Sequence, residues 1–165
     1  MLGGDGNDRL VGGAGIDTIY GEVGNDRLFG ELGDDLLFGG IGQDFLYGGL
    51  GSDTLRGGEG SDQLFGNVGN DFLYGQQGND FLFGNDGDDV LGGGDGRDQL
   101  VGSAGDDRLG GDAGVDELFG GFGSDVLIGG ANNDELTGGP DADNFNFVDG
   151  GDVLNDFEAS DFQTG

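Results

Sequence analysis

The chain lacks histidine, cysteine, lysine and tryptophan, and its only cationic side chains are five arginines among 165 residues. Without histidine or cysteine there is no imidazole base, thiol nucleophile or disulfide, and no zinc site built on imidazole or thiolate. Without lysine there is no P-loop and no Schiff-base chemistry. Neither HExxH nor GxSxG occurs in the chain. The sequence therefore predicts that this chain is not an enzyme.

Positive charge is also too sparse for a nucleic-acid partner. The formal net charge is −29 at pH 7, whereas phosphate binding needs clustered cationic side chains. No apolar run has the length of a membrane span, and the opening MLGGDGND lacks the basic start and apolar core of a signal peptide. We expect cations as partners, no nucleic acid and no membrane span. If the protein is exported, its export signal lies elsewhere.

Glycine is the most abundant residue, and its placement decides between order and disorder. A chain with 44 glycines and this charge could be a disordered polymer. However, residues 3–146 divide into sixteen nonapeptides without an insertion, as GGIGQDFLYGGLGSDTLRGG at 39–58 illustrates. Positions one, two and four, with Gly92 and Gly110 at position nine, hold 41 of the 44 glycines. A flexible linker would scatter its glycines, so the pattern favours a repeated shape.

The nonapeptide predicts a turn followed by a short strand. Position one is glycine in all sixteen repeats and position four in fourteen, while position two is glycine in nine. We expect these glycines to adopt positive φ and to let carbonyl groups converge where a Cβ would obstruct them, so that positions one to six form the turn. Position eight is always apolar and is leucine in fourteen repeats. Positions seven to nine then form a three-residue strand whose central leucine points inward, and two nonapeptides make one coil.

This pattern, Gly-Gly-x-Gly-x-Asp-x-apolar-x over 144 of 165 residues, resembles the RTX family of calcium-binding nonapeptide repeats. The resemblance implies an all-β fold: a right-handed parallel β-roll, or β-helix solenoid, of about eight coils. It also implies that calcium lies between turns one coil apart, so that repeat n pairs with repeat n + 2. The family is further associated with type I secretion and folding outside the cell.

Position six supplies the candidate calcium ligands. One Asp in a turn can simply accept a hydrogen bond from its own backbone. Sixteen carboxylates stacked at the ~4.8 Å strand spacing would instead repel one another, so a multivalent cation is needed between them. These residues are Asp8, Asp17, Asp26, Asp35, Asp44, Asp53, Asp62, Asp71, Asp80, Asp89, Asp98, Asp107, Asp116, Asp125, Asp134 and Asp143. Calcium fits an all-oxygen site better than magnesium does.

Two stacks of eight turns leave room for up to about fourteen calcium ions, which would nearly cancel the charge of −29. A single inward leucine per repeat is a thin core for 144 residues. We therefore expect calcium to act as a folding switch. Repeats fifteen and sixteen carry Asn132, Pro140 and Asp141, and should bind calcium poorly.

The repeats divide the chain into a β-roll at 1–146 and a C-terminal capping segment at 147–165. Apolar residues of this segment are expected to close the open end of the roll: Phe147, Val153, Leu154 and Phe157. The first repeat begins directly after Met1 and Leu2. Since solenoids normally protect their terminal repeats, either this edge is tolerated or a preceding domain is missing.

Outward positions of the odd repeats suggest two further hypotheses. Position nine forms an apolar ladder: Val11, Phe29, Tyr47, Phe65, Phe83, Val101 and Phe119. It could be ordinary cross-strand packing or a contact surface. Position seven carries Arg9 and Arg27 at one end and Glu117 and Glu135 at the other. A two-fold homodimer through this face would set Arg9 opposite Glu135 and Arg27 opposite Glu117.

Taken together, the sequence predicts a calcium-binding structural module of a secreted, extracellular protein. The alternative is a calcium-rigidified adhesion or carbohydrate-binding module that uses an exposed aromatic face. An ice-binding face is disfavoured, because the chain has only four threonines.

Overall fold

A computed structural model describes residues 1–146, 151–156 and 161–164 of the chain. These residues form nineteen β-strands and no helix. The strands are β1 Leu2–Asp5, β2 Arg9–Ala14, β3 Thr18–Val23, β4 Arg27–Leu32, β5 Leu36–Ile41, β6 Phe45–Leu50, β7 Thr54–Glu59, β8 Gln63–Val68, β9 Phe72–Gln77, β10 Phe81–Asp86, β11 Val90–Asp95, β12 Gln99–Ala104, β13 Arg108–Ala113, β14 Glu117–Phe122, β15 Val126–Ala131, β16 Glu135–Thr137, β17 Asn144–Asn146, β18 Val153–Leu154 and β19 Phe162–Thr164. None of the described residues belongs to a helix with the length and apolarity of a membrane span.

The strands form two parallel sheets that together make a β-solenoid of about eight turns. Odd-numbered strands build a ten-stranded sheet and even-numbered strands a nine-stranded sheet, each in sequential order. Every pairing joins residues eighteen apart, as Leu64 with Leu82. Two nonapeptides therefore make one coil, and the predicted parallel β-roll is confirmed. We call the nine-stranded sheet the odd-repeat sheet and the ten-stranded sheet the even-repeat sheet, after the repeats in which their strands begin.

The strands are longer than the sequence pattern indicates. Strand β8 begins at Gln63, position seven of one repeat, and runs to Val68, position three of the next. Each of β2 to β15 spans six residues in this way. The expectation of a three-residue strand and a six-residue turn is therefore wrong, because the turn occupies only positions four to six.

Glycine has two separate functions in the repeat. The nine non-glycine residues with positive φ all lie at positions two and four, for example Asn67 with φ of 84° and Asn132 with φ of 87°. Position-one glycines are not in the positive-φ region, so the expectation of positive φ fails there. A Cβ on Gly12 would instead lie 2.9 Å from the carbonyl oxygen of Gly30 on the next coil. Position one is glycine because the coils approach too closely for a side chain.

Position eight forms the core, as predicted. Ile19, the leucines of repeats three to fifteen and Phe145 are all at most 2% exposed and form one hydrophobic cluster. Leu10, in the first repeat, is only partly buried against this cluster. The strand alternation sends position eight between the sheets because successive side chains of a strand point to opposite faces.

The described parts of the segment predicted to cap the roll continue both sheets. Strand β18 pairs with β16, and β19 pairs with β17. Leu154 packs against the core, whereas Val153 is 54% exposed. The Asp156 carboxylate accepts hydrogen bonds from the backbone N–H groups of Gly138 and Gly139, at 3.0 and 2.8 Å. Phe147 and Phe157, also expected to close the roll, lie outside the described residues.

Candidate metal centre

The position-six aspartates form two continuous ladders along the roll, one on each edge. In each ladder, Oδ1 accepts a hydrogen bond from the backbone N–H of the aspartate one coil earlier. The N···O distance is 2.7 Å from Asp53 to Asp71 and 2.8 Å from Asp71 to Asp89. This contact needs the carboxylate to reach across coils, so it differs from the local turn hydrogen bond of an isolated Asp. One oxygen of each side chain is thereby used for structure.

The second carboxylate oxygen, Oδ2, has no partner. In fifteen of the sixteen predicted aspartates, Oδ2 is buried without a hydrogen bond, and only Asp17 differs. From Asp26 to Asp143 these residues are at most 3% exposed. A buried carboxylate without compensation is costly, and native structures normally satisfy such groups. A repeated row of such buried carboxylates fits a series of calcium sites.

The missing side chain at position one lets oxygen atoms of two successive coils converge beside it. A Cβ placed on Gly12 would lie 2.8 Å from Oδ2 of Asp17 and 2.9 Å from the carbonyl oxygen of Gly30. The same arrangement recurs through the central repeats, for example at Gly66 between Asp71 and Gly84. A carboxylate oxygen and a backbone carbonyl oxygen therefore face one side-chain-free slot. Both are hard ligands of the kind that calcium prefers.

The electrostatics of the ladders favour a bound cation. Burial, with smaller contributions from neighbouring carboxylates, raises the pKa of Asp62 and Asp107 to about 7, against a backbone hydrogen bond that lowers it. The pKa of Asp89 is raised to about 6, again chiefly by burial. The folded ion-free roll thus retains protons that the unfolded chain has released, so its stability falls as the pH rises from about 4 to 7. A bound cation would remove this penalty.

Carboxylates alone do not complete a metal site here. Within the described ranges, no group of three or more His, Cys, Asp or Glu side chains converges on a point that could hold a metal ion. Calcium takes six to eight oxygen ligands. Any ion in the ladder must therefore draw most of its ligands from backbone carbonyls such as those of the glycine slots.

Comparison with protein families identifies the repeat. A family model described as the RTX calcium-binding nonapeptide repeat matches residues 2–37, 24–55, 38–73, 56–91, 65–100, 92–127 and 119–154. The chain belongs to the RTX family. RTX nonapeptide repeats bind calcium, and this chain is a calcium-binding β-roll module. No curated protein matched in a sequence search.

The ladders of this RTX roll extend beyond the predicted ligands. Asp152 and Asp161 accept hydrogen bonds from the backbone N–H groups of Asp134 and Asp143, each at 3.1 Å. Oδ2 of Asp152 is also buried without a partner. The signal in the sequence was the unbroken nine-residue spacing from Asp143 to Asp152 and Asp161. It was missed because the repeat frame relied on glycine, which position one lacks after Gly138.

Position five also carries a ladder, although its residue type looked unconstrained. The side-chain oxygen of Asn7 accepts a hydrogen bond from the backbone N–H of Asn25 at 2.9 Å. Asp34 does the same for Ser52 at 2.9 Å. Several polar side chains serve this function, but Ile16, Arg97, Val115 and Ala142 at the same position have no acceptor and interrupt the ladder. Because the residue type at position five varies, the sequence pattern did not predict this ladder.

The aromatic ladder of the odd-repeat sheet lies in register, as predicted. Phe65 pairs with Phe83 on the neighbouring strand, and their ring centroids are 6.3 Å apart. Phe65 also contacts Phe45 and Phe81 at 5.2 and 5.9 Å. The Arg9 guanidinium lies 4.7 Å from the ring centroid of Phe29. Much of this surface is therefore cross-strand packing between its own rings.

Proposed function

We propose that this chain is the calcium-folded structural module of a secreted protein, with little structure at cytosolic calcium concentrations and a rigid roll at extracellular ones. The observation that carries the proposal is the row of buried Oδ2 atoms without partners, from Asp8 to Asp152. Without cations, these carboxylates oppose folding through desolvation and mutual repulsion. With calcium, the same groups hold successive coils together, so binding and folding are coupled.

Each ion is assigned the Oδ2 atoms of the position-six aspartates together with glycine-slot carbonyls. The sixteen predicted aspartates would hold up to about fourteen ions between successive coils. Asp152 and Asp161 add a further rung to each ladder, but their turns lack the position-one glycine. We therefore keep about fourteen as the upper limit. Residues 1–146 would form the calcium-binding unit, and 147–165 the segment that closes it.

Calcium-coupled folding explains how such a chain could be exported. A chain that is unfolded at low calcium can pass through a type I secretion channel and fold outside the cell. A net charge of −29 supports this, because charge repulsion keeps the ion-free chain expanded. The module would then have a binding and structural function and no catalytic one. The absence of His, Cys and Lys from the sequence supports that assignment.

A calcium titration of the chelated chain, followed by far-UV circular dichroism, tests the proposal. We expect little β signal in chelator and a cooperative gain as calcium rises through about 0.1–1 mM, the affinity range of extracellular calcium modules. Isothermal calorimetry should count about a dozen ions, since the last repeats should bind calcium poorly, and magnesium should produce no comparable folding. A chain that is fully folded in chelator, or that stays disordered at the highest calcium concentration, would contradict calcium-coupled folding.

We further propose that two folded rolls associate through the outer face of the odd-repeat sheet. Its position-seven row runs in register from Arg9 and Arg27 on β2 and β4 to Glu117 and Glu135 on β14 and β16. A two-fold axis that runs parallel to the strands, between β8 and β10, stacks the strands of the second copy in the opposite order. The position-seven row of one copy then faces the position-seven row of the other. This axis sets Arg9 opposite Glu135 and Arg27 opposite Glu117 of the second copy.

The remaining charges of this face are compatible with that arrangement. Position nine carries no charged residue in the odd repeats, and Glu31 is the single charged residue at position two. The axis sets Glu31 opposite Gly121, so no like charges meet. Eight strands at ~4.8 Å and six residues at ~3.3 Å give a face of roughly 760 Å². This approaches the ~800 Å² per partner of a standard interface.

Sedimentation of the calcium-loaded protein tests the dimer. We expect a dimer for the wild type and a monomer for Arg9→Glu with Arg27→Glu, because both ends of the interface would then carry like charges. Adding Glu117→Arg and Glu135→Arg to that variant should restore the dimer. A wild-type monomer at high calcium and high protein concentration would contradict the proposal, and so would a charge-swapped variant that fails to recover.

An adhesion or carbohydrate-binding function through the aromatic ladder of the odd-repeat sheet has less support. Those rings pack on one another, and only Tyr47 among them, at 38% exposed, is an exposed large side chain. The opposite sheet offers a more specific surface.

A further inference from the structure

The outer face of the even-repeat sheet carries a stack of flat side chains at position nine. The rings of Tyr20 and Phe38 lie parallel, with centroids 4.7 Å apart and planes 3° apart. The Arg56 guanidinium follows on the next strand, 5.7 Å from the ring centroids of both Phe38 and Tyr74. The four side chains therefore form a continuous column along the roll that ends at Tyr74.

The column stops because the next two strands have glycine at position nine. Gly92 and Gly110 pair with each other in register, and Gly92 pairs with Tyr74. A Cβ on Gly92 would lie 3.3 Å from Cδ1 of Tyr74, whereas a Cβ on Gly110 would meet no atom nearer than 4.0 Å. These are the only two glycines of the sixteen repeats at this position. They leave a notch two strands wide beside the Tyr74 ring.

Polar groups of both kinds surround this notch. On its Gly92 side lies a depression of about 320 Å³, lined by Arg56, Tyr74, Gln76, Gly92 and Asp112 among others but not by Gly110. Oδ2 of Asp112 lies 3.9 Å from the Cβ position of Gly92, so the carboxylate extends over the notch. Gln76 and Asp112 are both exposed. The notch thus combines one aromatic ring with a guanidinium donor, an amide and a carboxylate acceptor.

This combination selects a neutral ligand with several hydroxyl groups. Arg56 would repel a cation, and Asp112 would repel an anion, in a protein that is already strongly acidic. A hydroxyl-bearing ring can place its C–H face on an aromatic side chain while its hydroxyls bond the donors and acceptors at the rim. Small-molecule sites commonly have such a composition, and 320 Å³ falls within their usual range of about 300–1,000 Å³.

We propose that the notch at Gly92 and Gly110 is a saccharide-binding site. A pyranose ring occupies the two positions without side chains and continues the column beyond Tyr74. Its hydroxyls donate to the Asp112 carboxylate and bond Gln76 and the Arg56 guanidinium. The site needs the folded roll, and therefore the proposed calcium-coupled folding, but it does not depend on secretion or on the dimer.

Tyrosine ring NMR on the calcium-loaded protein tests the site. The chain has three tyrosines, and ring labelling reports on each of them separately. Titration with maltose, cellobiose and diacetylchitobiose up to about 50 mM should shift the Tyr74 signals for at least one sugar, at millimolar affinity. Tyr47, on the opposite sheet, should not move. If the Tyr74 signals shift with free arginine and with none of the sugars, the notch is a cation site and the proposal is overturned.

Two variants separate binding from folding. Gly110→Leu fills the notch from a position with open space, and we expect it to weaken sugar binding at least tenfold. Tyr74→Ala removes the stacking surface and should do the same, with binding followed by isothermal titration calorimetry because the Tyr74 signals are lost, while Tyr47→Ala is the matched control with unchanged affinity. Circular dichroism of the same samples shows whether the roll is folded. An intact β signal with no response of Tyr74 to any of the three sugars would overturn this proposal and leave calcium-coupled folding standing.

Discussion

Gly66→Ala is expected to destabilise the calcium-loaded roll by about 3 kcal/mol, although it adds one methyl group to a residue of ordinary backbone conformation. Gly66 is at position one and is not in the positive-φ region. Its Cβ would lie 2.9 Å from the carbonyl oxygen of Gly84 and 3.0 Å from Cβ of Asp71. The neighbours are backbone and a buried ladder side chain, so neither can move without separating the coils. Urea unfolding at saturating calcium measures the change.

Gly110→Ala is the matched control for Gly66→Ala. Gly110 is also outside the positive-φ region and has the same residue change, but its Cβ would meet no atom nearer than 4.0 Å. We expect a change in the free energy of unfolding of less than about 0.5 kcal/mol. Equal losses in the two variants would mean that glycine acts through general chain flexibility, and that the close approach of coils at position one is unimportant.

Asp89→Asn should have opposite effects with and without calcium. The amide oxygen can still accept the hydrogen bond from the Asp71 N–H, which is 2.8 Å long. The amide NH₂, however, replaces Oδ2 in the slot and cannot bind a cation. We expect the calcium midpoint of folding to rise several-fold and up to two fewer ions to bind. In chelator the variant should be easier to fold, because a buried carboxylate with a raised pKa has been removed.

Asp86→Asn controls for the change in net charge. Asp86 is exposed and lies three residues before Asp89, at position three of the repeat. The substitution removes the same formal charge but no ladder carboxylate. Because the Asp86 charge is only a minor cause of the raised pKa of Asp89, we expect a much smaller change in the midpoint and none in the number of ions. Circular dichroism and calorimetry compare both variants with the wild type. The same midpoint shift in both would mean that calcium acts by screening bulk charge and does not depend on position six.

The candidate site was accessible to sequence reasoning because its spacing repeats without interruption. The sixteen aspartates share one phase, and the parallel stacking of a solenoid converts equal phase into spatial alignment. Asp152 and Asp161 show the limit of that reasoning. They keep the nine-residue spacing of the aspartates, but position one of their repeats is no longer glycine. Repeat boundaries defined by glycine therefore end before these two residues. The structure includes them because backbone N–H groups of Asp134 and Asp143 still need acceptors.

The position-one glycines show a second limit. Their invariance was visible in the sequence, but positive φ and the close approach of carbonyl groups were both predicted for positions one, two and four alike. The actual cause is the distance to the next coil, as the 2.9 Å approach at Gly12 shows. Contacts between residues eighteen apart have no local signature, so the sequence could not distinguish a conformational glycine from a steric one.

The sequence by itself determined the repeat, the inward leucine, the coil of two nonapeptides and the phase of the acidic ladder. Each follows from local periodicity, which a solenoid carries unchanged into three dimensions. Only the tertiary structure decided the six-residue strands, the steric function of position one, the division of each carboxylate into a bonded and an unpartnered oxygen, and the notch at Gly92. These depend on distances between neighbouring coils, which arise only when the coils are stacked.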